Sequence, residues 1–185
     1  MGLFGGKKKE FIPDFTLPEY DNWLNYLDAG GSSREWEKLK KANMWTFPEG
    51  EEEKIARYQK EVDPVARKYY DRMTQIQNDW SVIYNLGDYT CALAHKFEED
   101  CFKNIADYKK MSAIDAKYEQ KTATNIPALK RLAMLYEKQG KFEEAIEICK
   151  QACSFGMDER SRMIRMIQKA GRAPTTEEER ILQQN

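Results

Sequence analysis

The sequence predicts an all-α protein, an irregular stack of antiparallel helical hairpins, on three observations. Apolar residues recur every three or four positions over long stretches, as they do along one stripe of a helix. Those stretches are dominated by Glu, Lys, Arg and Ala, which are good helix formers. Nowhere does an apolar/polar alternation persist long enough for a strand. The 185 residues, 41% apolar and 33% charged, suffice for one domain with a small appendage and need no disulfide or metal to build a core. An aromatic content of 12%, with four Trp and ten Tyr, argues that most of the length folds.

Residues 1–17 carry apolar Phe11, Ile12, Phe15 and Leu17, but Pro13 and Pro18 interrupt any helix, so a flexible or extended arm is expected. Its start joins Gly2 to the cluster Lys7-Lys8-Lys9, two components of a lipid anchor. Gly6 stands where a myristoylation motif wants Ser or Thr, and the reading is a solvated tail without stable membrane anchoring.

A helical region over 18–121 follows. Pro18 suits the first turn of a short helix, Glu19–Asp28, with Trp23, Leu24 and Leu27 inward and Gly30-Gly31 as its stop. Ser32 and Glu35 are spaced as a capping box for a second helix, Ser33–Ala42, that buries Trp36 and Leu39. Beyond a loop over 43–50, Glu51-Glu52-Glu53 marks a helix N-terminus, where negative charge offsets the dipole. Ile55, Tyr58 and Val62 continue it to Pro64, which demands a kink or a new start. Val65, Tyr69, Met73, Ile76, Trp80, Ile83 and Tyr84 then define a long amphipathic helix to Leu86. Gly87 breaks the pattern, and Asp88 is the expected N-cap of a helix from Tyr89 toward 117–121. Its inward residues are Ala92, Leu93, Phe97, Cys101, Ile105 and Tyr108.

Residues 122–172 hold the most specific pattern. Asn125 is the expected N-cap and Pro127 the first turn of a helix with Leu129, Leu132, Ala133 and Tyr136 on one face. Gly140 makes the turn, and Phe142, Ala145, Ile146, Cys149 and Ala152 form the facing stripe of a second helix that Gly156 ends. Small Ala133 and Ala145 let the two axes approach, and a short glycine turn makes them antiparallel. A further helix, Glu159–Ala170, presents Met163, Met166, Ile167 and Ala170 and could cap the hairpin. The tail over 173–185 hangs free or forms a last helix, Glu177–Gln184, behind a capping box of Thr176 and Glu179.

Residues 126–154 resemble a tetratricopeptide repeat, through Leu129, Leu132, Ala133 and Tyr136 in the first helix and Gly140, Phe142, Ala145 and Ala152 in the second. Leu129 replaces the commonest Trp, Cys149 an aromatic, and Met157 the usual proline. A degenerate form of the hairpin precedes it in Ile76, Trp80, Ile83, Gly87, Tyr89, Ala92 and Leu93. The two turn glycines, Gly87 and Gly140, are 53 residues apart, whereas one repeat spans about 34. One repeat inside an irregular stack is therefore expected, not a regular array. The resemblance implies a protein or peptide partner. Some modules of this family grip a peptide carboxylate through Lys and Asn on the concave helix face; Lys130 matches the first, but Met134 stands where the asparagine belongs.

Thirty basic against thirty-one acidic residues argue against a dedicated nucleic-acid binder, which carries a basic excess. Cys91, Cys101, Cys149 and Cys153 are read as free thiols of a cytoplasmic protein, since no secretory signal or membrane span is apparent. A single histidine, His95, removes most triads and metal hydrolases, so a non-enzymatic protein without cofactor or metal is expected. Cys91 with His95 and Cys149 with Cys153 share helix faces at four-residue spacing, a conceivable zinc set, though Cys149 reads more simply as a core residue. Glu137 and Lys141 are spaced as a local ion pair.

Two surfaces are candidate protein-binding sites. One is the helix face around Lys130, Met134 and Glu137. The other is a basic stripe, Arg162, Arg165, Lys169 and Arg172, that is either a solvated face or a site for an acidic peptide or nucleic acid. The leading expectation is a protein-interaction module; self-association through the long helices and nucleic-acid binding through the stripe are the alternatives.

Overall fold

A computed structural model describes residues 11–183. Among them it places eight helices and no strand: α1 Glu19–Asp28, α2 Ser33–Asn43, α3 Glu51–Leu86, α4 Ala92–Lys117, α5 Pro127–Gln139, α6 Phe142–Ser154, α7 Arg160–Lys169 and α8 Thr176–Gln183. The protein is all-α, as predicted. No helix among the described residues is long and apolar enough to cross a membrane. Gly2, Gly6 and the Lys7-Lys8-Lys9 cluster lie outside the described residues. The chain parts into two compact units, one up to Gln59 and one from Lys60, so the division falls inside α3.

The first unit is organised by aromatic rings. Trp36 is 2% exposed and meets Tyr26, Phe11, Trp45 and Phe47 at centroid distances of 5.6, 5.7, 5.8 and 5.9 Å, within the range of favourable ring contacts. The buried side of α1 is not the predicted one. Asn22 and Tyr26 are buried, while Leu24 is exposed and Trp23 and Leu27 are half-buried. The cause is Asn22, whose amide holds the chain before α1. It accepts from the Asp14 amide at 2.7 Å and donates to the carbonyls of Asp14, Leu17 and Pro18 at 2.8, 3.1 and 3.1 Å. Residues 14–17 thus form a fastened turn rather than a loose arm. Tyr26 lies over the turn after α1, where a Cβ on Gly31 would sit 2.1 Å from its ring. Ser32 caps α2 as predicted, accepting from the Glu35 amide.

In the second unit α3 passes Pro64 without a break. Val62, Tyr69, Ile76, Asp79, Trp80 and Ile83 are its buried residues, whereas Tyr84 turns out to solvent. Helix α4 starts later than predicted. The Asp88 carboxylate accepts from the amide and hydroxyl of Thr90, both at 2.9 Å, so it closes a local turn and leaves Cys91 as N-cap. The inward stripe follows this shift, with Ala94 buried and Ala92 exposed, ahead of Phe97, Cys101, Ile105 and Tyr108. Polar side chains also join α3 to α4. Asn104, fully buried, donates to the Tyr69 carbonyl at 2.8 Å, and Arg72 pairs with Asp107.

Helices α5 and α6 form the predicted hairpin. Gly140 adopts φ +74°, and the Lys141 amide closes onto the Tyr136 carbonyl at 2.9 Å, a left-handed C-cap. Leu129, Leu132, Ala133, Ala145, Ile146, Cys149 and Ala152 are all fully buried. Ile126, not Asn125, is the N-cap residue of α5, being buried where Asn125 is exposed. Beyond α6, Met163, Met166 and Ile167 bury α7 against it. The last capping box lies one residue earlier than predicted. Thr175 and Glu178 exchange the reciprocal bonds, amide to carboxylate at 2.7 Å and amide to hydroxyl at 3.3 Å. Glu178 takes that place because its carboxylate also reaches Arg172.

Candidate functional site

The solvent side of α5 presents Lys130, Arg131, Met134, Glu137 and Lys138, positions that one helix face brings together. Its opposite side is buried against α4 and α6, so this row is most of what α5 can offer a partner. Arg131 reaches across to α3. It donates to the Gln77 side-chain Oε1 through Nε and Nη2 at 3.2 and 3.1 Å, and its guanidinium lies 5.5 Å from the centre of the Trp80 ring. Lys138 sits 6.0 Å from the Tyr84 ring and 5.6 Å from Tyr89. Two of the cations are therefore seated on aromatic faces, which hold charge in place while leaving it open to solvent. Met134 lies half-buried between them, and Lys130 is exposed.

The two candidate surfaces meet at Glu137. Its carboxylate accepts from Arg162 and Lys169 at 2.9 Å each and from Arg165 at 3.4 Å. Burial opposes its ionisation, but Lys169, Arg165 and Arg162 outweigh that and hold the carboxyl below its usual range. The predicted local pair with Lys141 does not form; Lys141 lies over the Tyr136 ring at 5.4 Å instead. The basic stripe is thus largely engaged within the protein. Arg162, with a side chain only 14% exposed, also pairs with Glu159, and Arg172 grips Glu143 and Glu178. Arg165 and Lys169 keep about half their side-chain surface in solvent, 50% and 47%.

The cysteines do not gather. No three of His, Cys, Asp or Glu among the described residues converge as metal ligands, so Cys91, His95, Cys149 and Cys153 form no tetrahedral set. Cys101 and Cys149 are fully buried. Burial pushes both thiols up, Cys149 to about 12, which keeps them protonated and unreactive at neutral pH.

Sequence reading located Lys130, Met134 and Glu137 but missed Arg131, Lys138, Tyr84 and Tyr89 as members of the face. Arg131 and Lys138 were available from helical spacing alone, three positions before Met134 and four beyond it. Their aromatic seats were not, because Trp80 and Tyr84 lie some fifty residues away in the chain. Comparisons with protein-family models, with curated proteins and with solved structures each return no match.

Proposed function

We propose that this protein is a non-enzymatic protein-interaction module of tetratricopeptide-like type, and that the α5 face with Arg165 and Lys169 of α7 receives an acidic peptide segment. The observation that supports it is the pairing of exposed or ring-seated cations, Lys130, Arg131 and Lys138, with half-buried Met134 on one helix face. A flexible thioether beside fixed cations suits a partner that alternates apolar and acidic side chains. Glu137 takes the part of an internal tie that sets the spacing of α5 and α7, not of a ligand contact.

The reading is tested by titrating a Glu-rich, Leu-containing peptide while following the indole N–H resonance of Trp80, whose ring lies under Arg131. Saturable binding that weakens with salt is expected, along with at least a tenfold loss in Lys130→Glu/Lys138→Glu. Binding indifferent to these reversals, or none at low salt, would sink the proposal. A second reading, self-association, rests on Tyr70, Val82, Leu86 and Phe102, which are 51%, 48%, 64% and 47% exposed on α3 and α4. Light scattering across a concentration series separates the two.

A further inference from the structure

The N-terminal unit carries a cavity of its own, of about 400 Å³, within the range of small-ligand sites. Tyr20 and Trp23 supply ring surface to its wall, Trp36, 2% exposed, adds little of its own, and Glu19, Glu37 and Glu53 supply carboxylates. Tyr20 and Trp23 meet at 5.4 Å between centroids, one helical turn apart on α1. Trp36 is fixed by the aromatic cluster behind it, so at least this wall is rigid. Glu19 is answered by Lys40 at 2.5 Å. The side chains of Glu37 and Glu53 have no ion pair or hydrogen bond with any described residue.

We infer that this cavity binds an organic cation, an alkylammonium or guanidinium group. Ring faces carry negative charge and attract cations that shed water readily. The carboxylates add charge of the same sign, so wall and charge select one class of ligand. The spacing excludes a bare metal ion. A metal needs carboxylate oxygens gathered at 2.0–2.6 Å around one point, and no such gathering of three acidic or metal-binding side chains exists among the described residues. Carboxylates spread around a ring-lined cavity instead suit a diffuse charge on a bulky headgroup. Such a group comes either as a Lys or Arg side chain of a partner protein or as a free small amine.

The test uses the full chain and follows the indole N–H resonances of Trp23 and Trp36, with Trp80 of the other unit as an internal reference. Tetramethylammonium chloride is titrated against sodium chloride of equal concentration. Saturable shifts of Trp23 and Trp36, absent for Trp80 and absent with sodium, are expected. Glu37→Gln/Glu53→Gln should weaken them at least tenfold; both side chains are exposed, and an unchanged Trp80 region and melting temperature show that the variant folds. A peptide with one central trimethyllysine or arginine then separates the sources. Binding tenfold tighter than tetramethylammonium assigns a protein-borne cation, and no gain assigns a free amine. Shifts that sodium reproduces, or that survive the double substitution unchanged, overturn the inference.

Discussion

Asn22 shows how much one polar side chain can decide. It uses both ends of its amide on four backbone groups of the preceding turn while fully buried. Replacing it by alanine leaves those groups without partners, and Asn22→Ala should cost about 2–4 kcal/mol, since each lost bond matters most where water cannot substitute. The measurement is the loss of the near-ultraviolet dichroism of the Trp36, Trp45 and Phe47 cluster on heating; an unchanged midpoint would refute the role. Sequence reading found Trp36 as core because a large ring at helical spacing has one plain meaning. Asn22 was illegible, since an asparagine inside a helix signals nothing until its partners are known. The same blindness covers Asn104 and Asp107, buried on α4 to serve α3 residues thirty-five positions back.

At the scale of the element, legibility follows sequence distance. The α5–α6 hairpin is held by contacts between neighbours in the chain and closes around Gly140, so its spacing announced it. The acid-rich start of α3 and its end at Leu86 were equally plain. What failed were boundaries where two local signals compete. Thr175 with Glu178 and Thr176 with Glu179 are both correctly spaced capping boxes, and the choice between them belongs to Arg172. Pro64 posed a similar choice, and α3 resolves it by continuing as one helix. The ring still removes one donor from the helix ladder. Pro64→Ala should therefore stabilise the chain by about 1–2 kcal/mol, less than the full helix-propensity difference because alanine also loosens the unfolded state. Chemical denaturation reads this directly, and destabilisation would mean that the proline sets a bend the second unit requires.

For the molecule as a whole, the two units use different materials. Aromatic rings gather in the first; aliphatic side chains, methionines and cross-helix ion pairs dominate the second. The ion pairs make the C-terminal end sensitive to acid. Arg172 and, next to it, the Thr175 amide outweigh burial, which acts in the opposite sense, and bring the Glu178 carboxyl down to about 2. Lys169 and its neighbours lower Glu137, and Arg172 lowers Glu143. A carboxyl depressed on folding stabilises the protein fully above its unfolded value, near 4.5, and loses that contribution as pH falls toward 2. Cleavage by an acid protease between residues 172 and 183 should therefore rise steeply between pH 4.5 and pH 2, before the α5–α6 hairpin opens. Simultaneous loss of both would show that α8 is no separate acid-labile element.

Helix α8 has one buried residue, and that residue is Glu178. Beside it Ile181 and Leu182 are half-buried, so a carboxylate carries a large share of the attachment and oily surface a smaller one. Most terminal helices that detach bare a sticky patch and invite clumping. Here the apolar surface that α8 would uncover is limited to that of half-buried Ile181 and Leu182 and of Ile148 and Cys153, which line a pocket with Ile181.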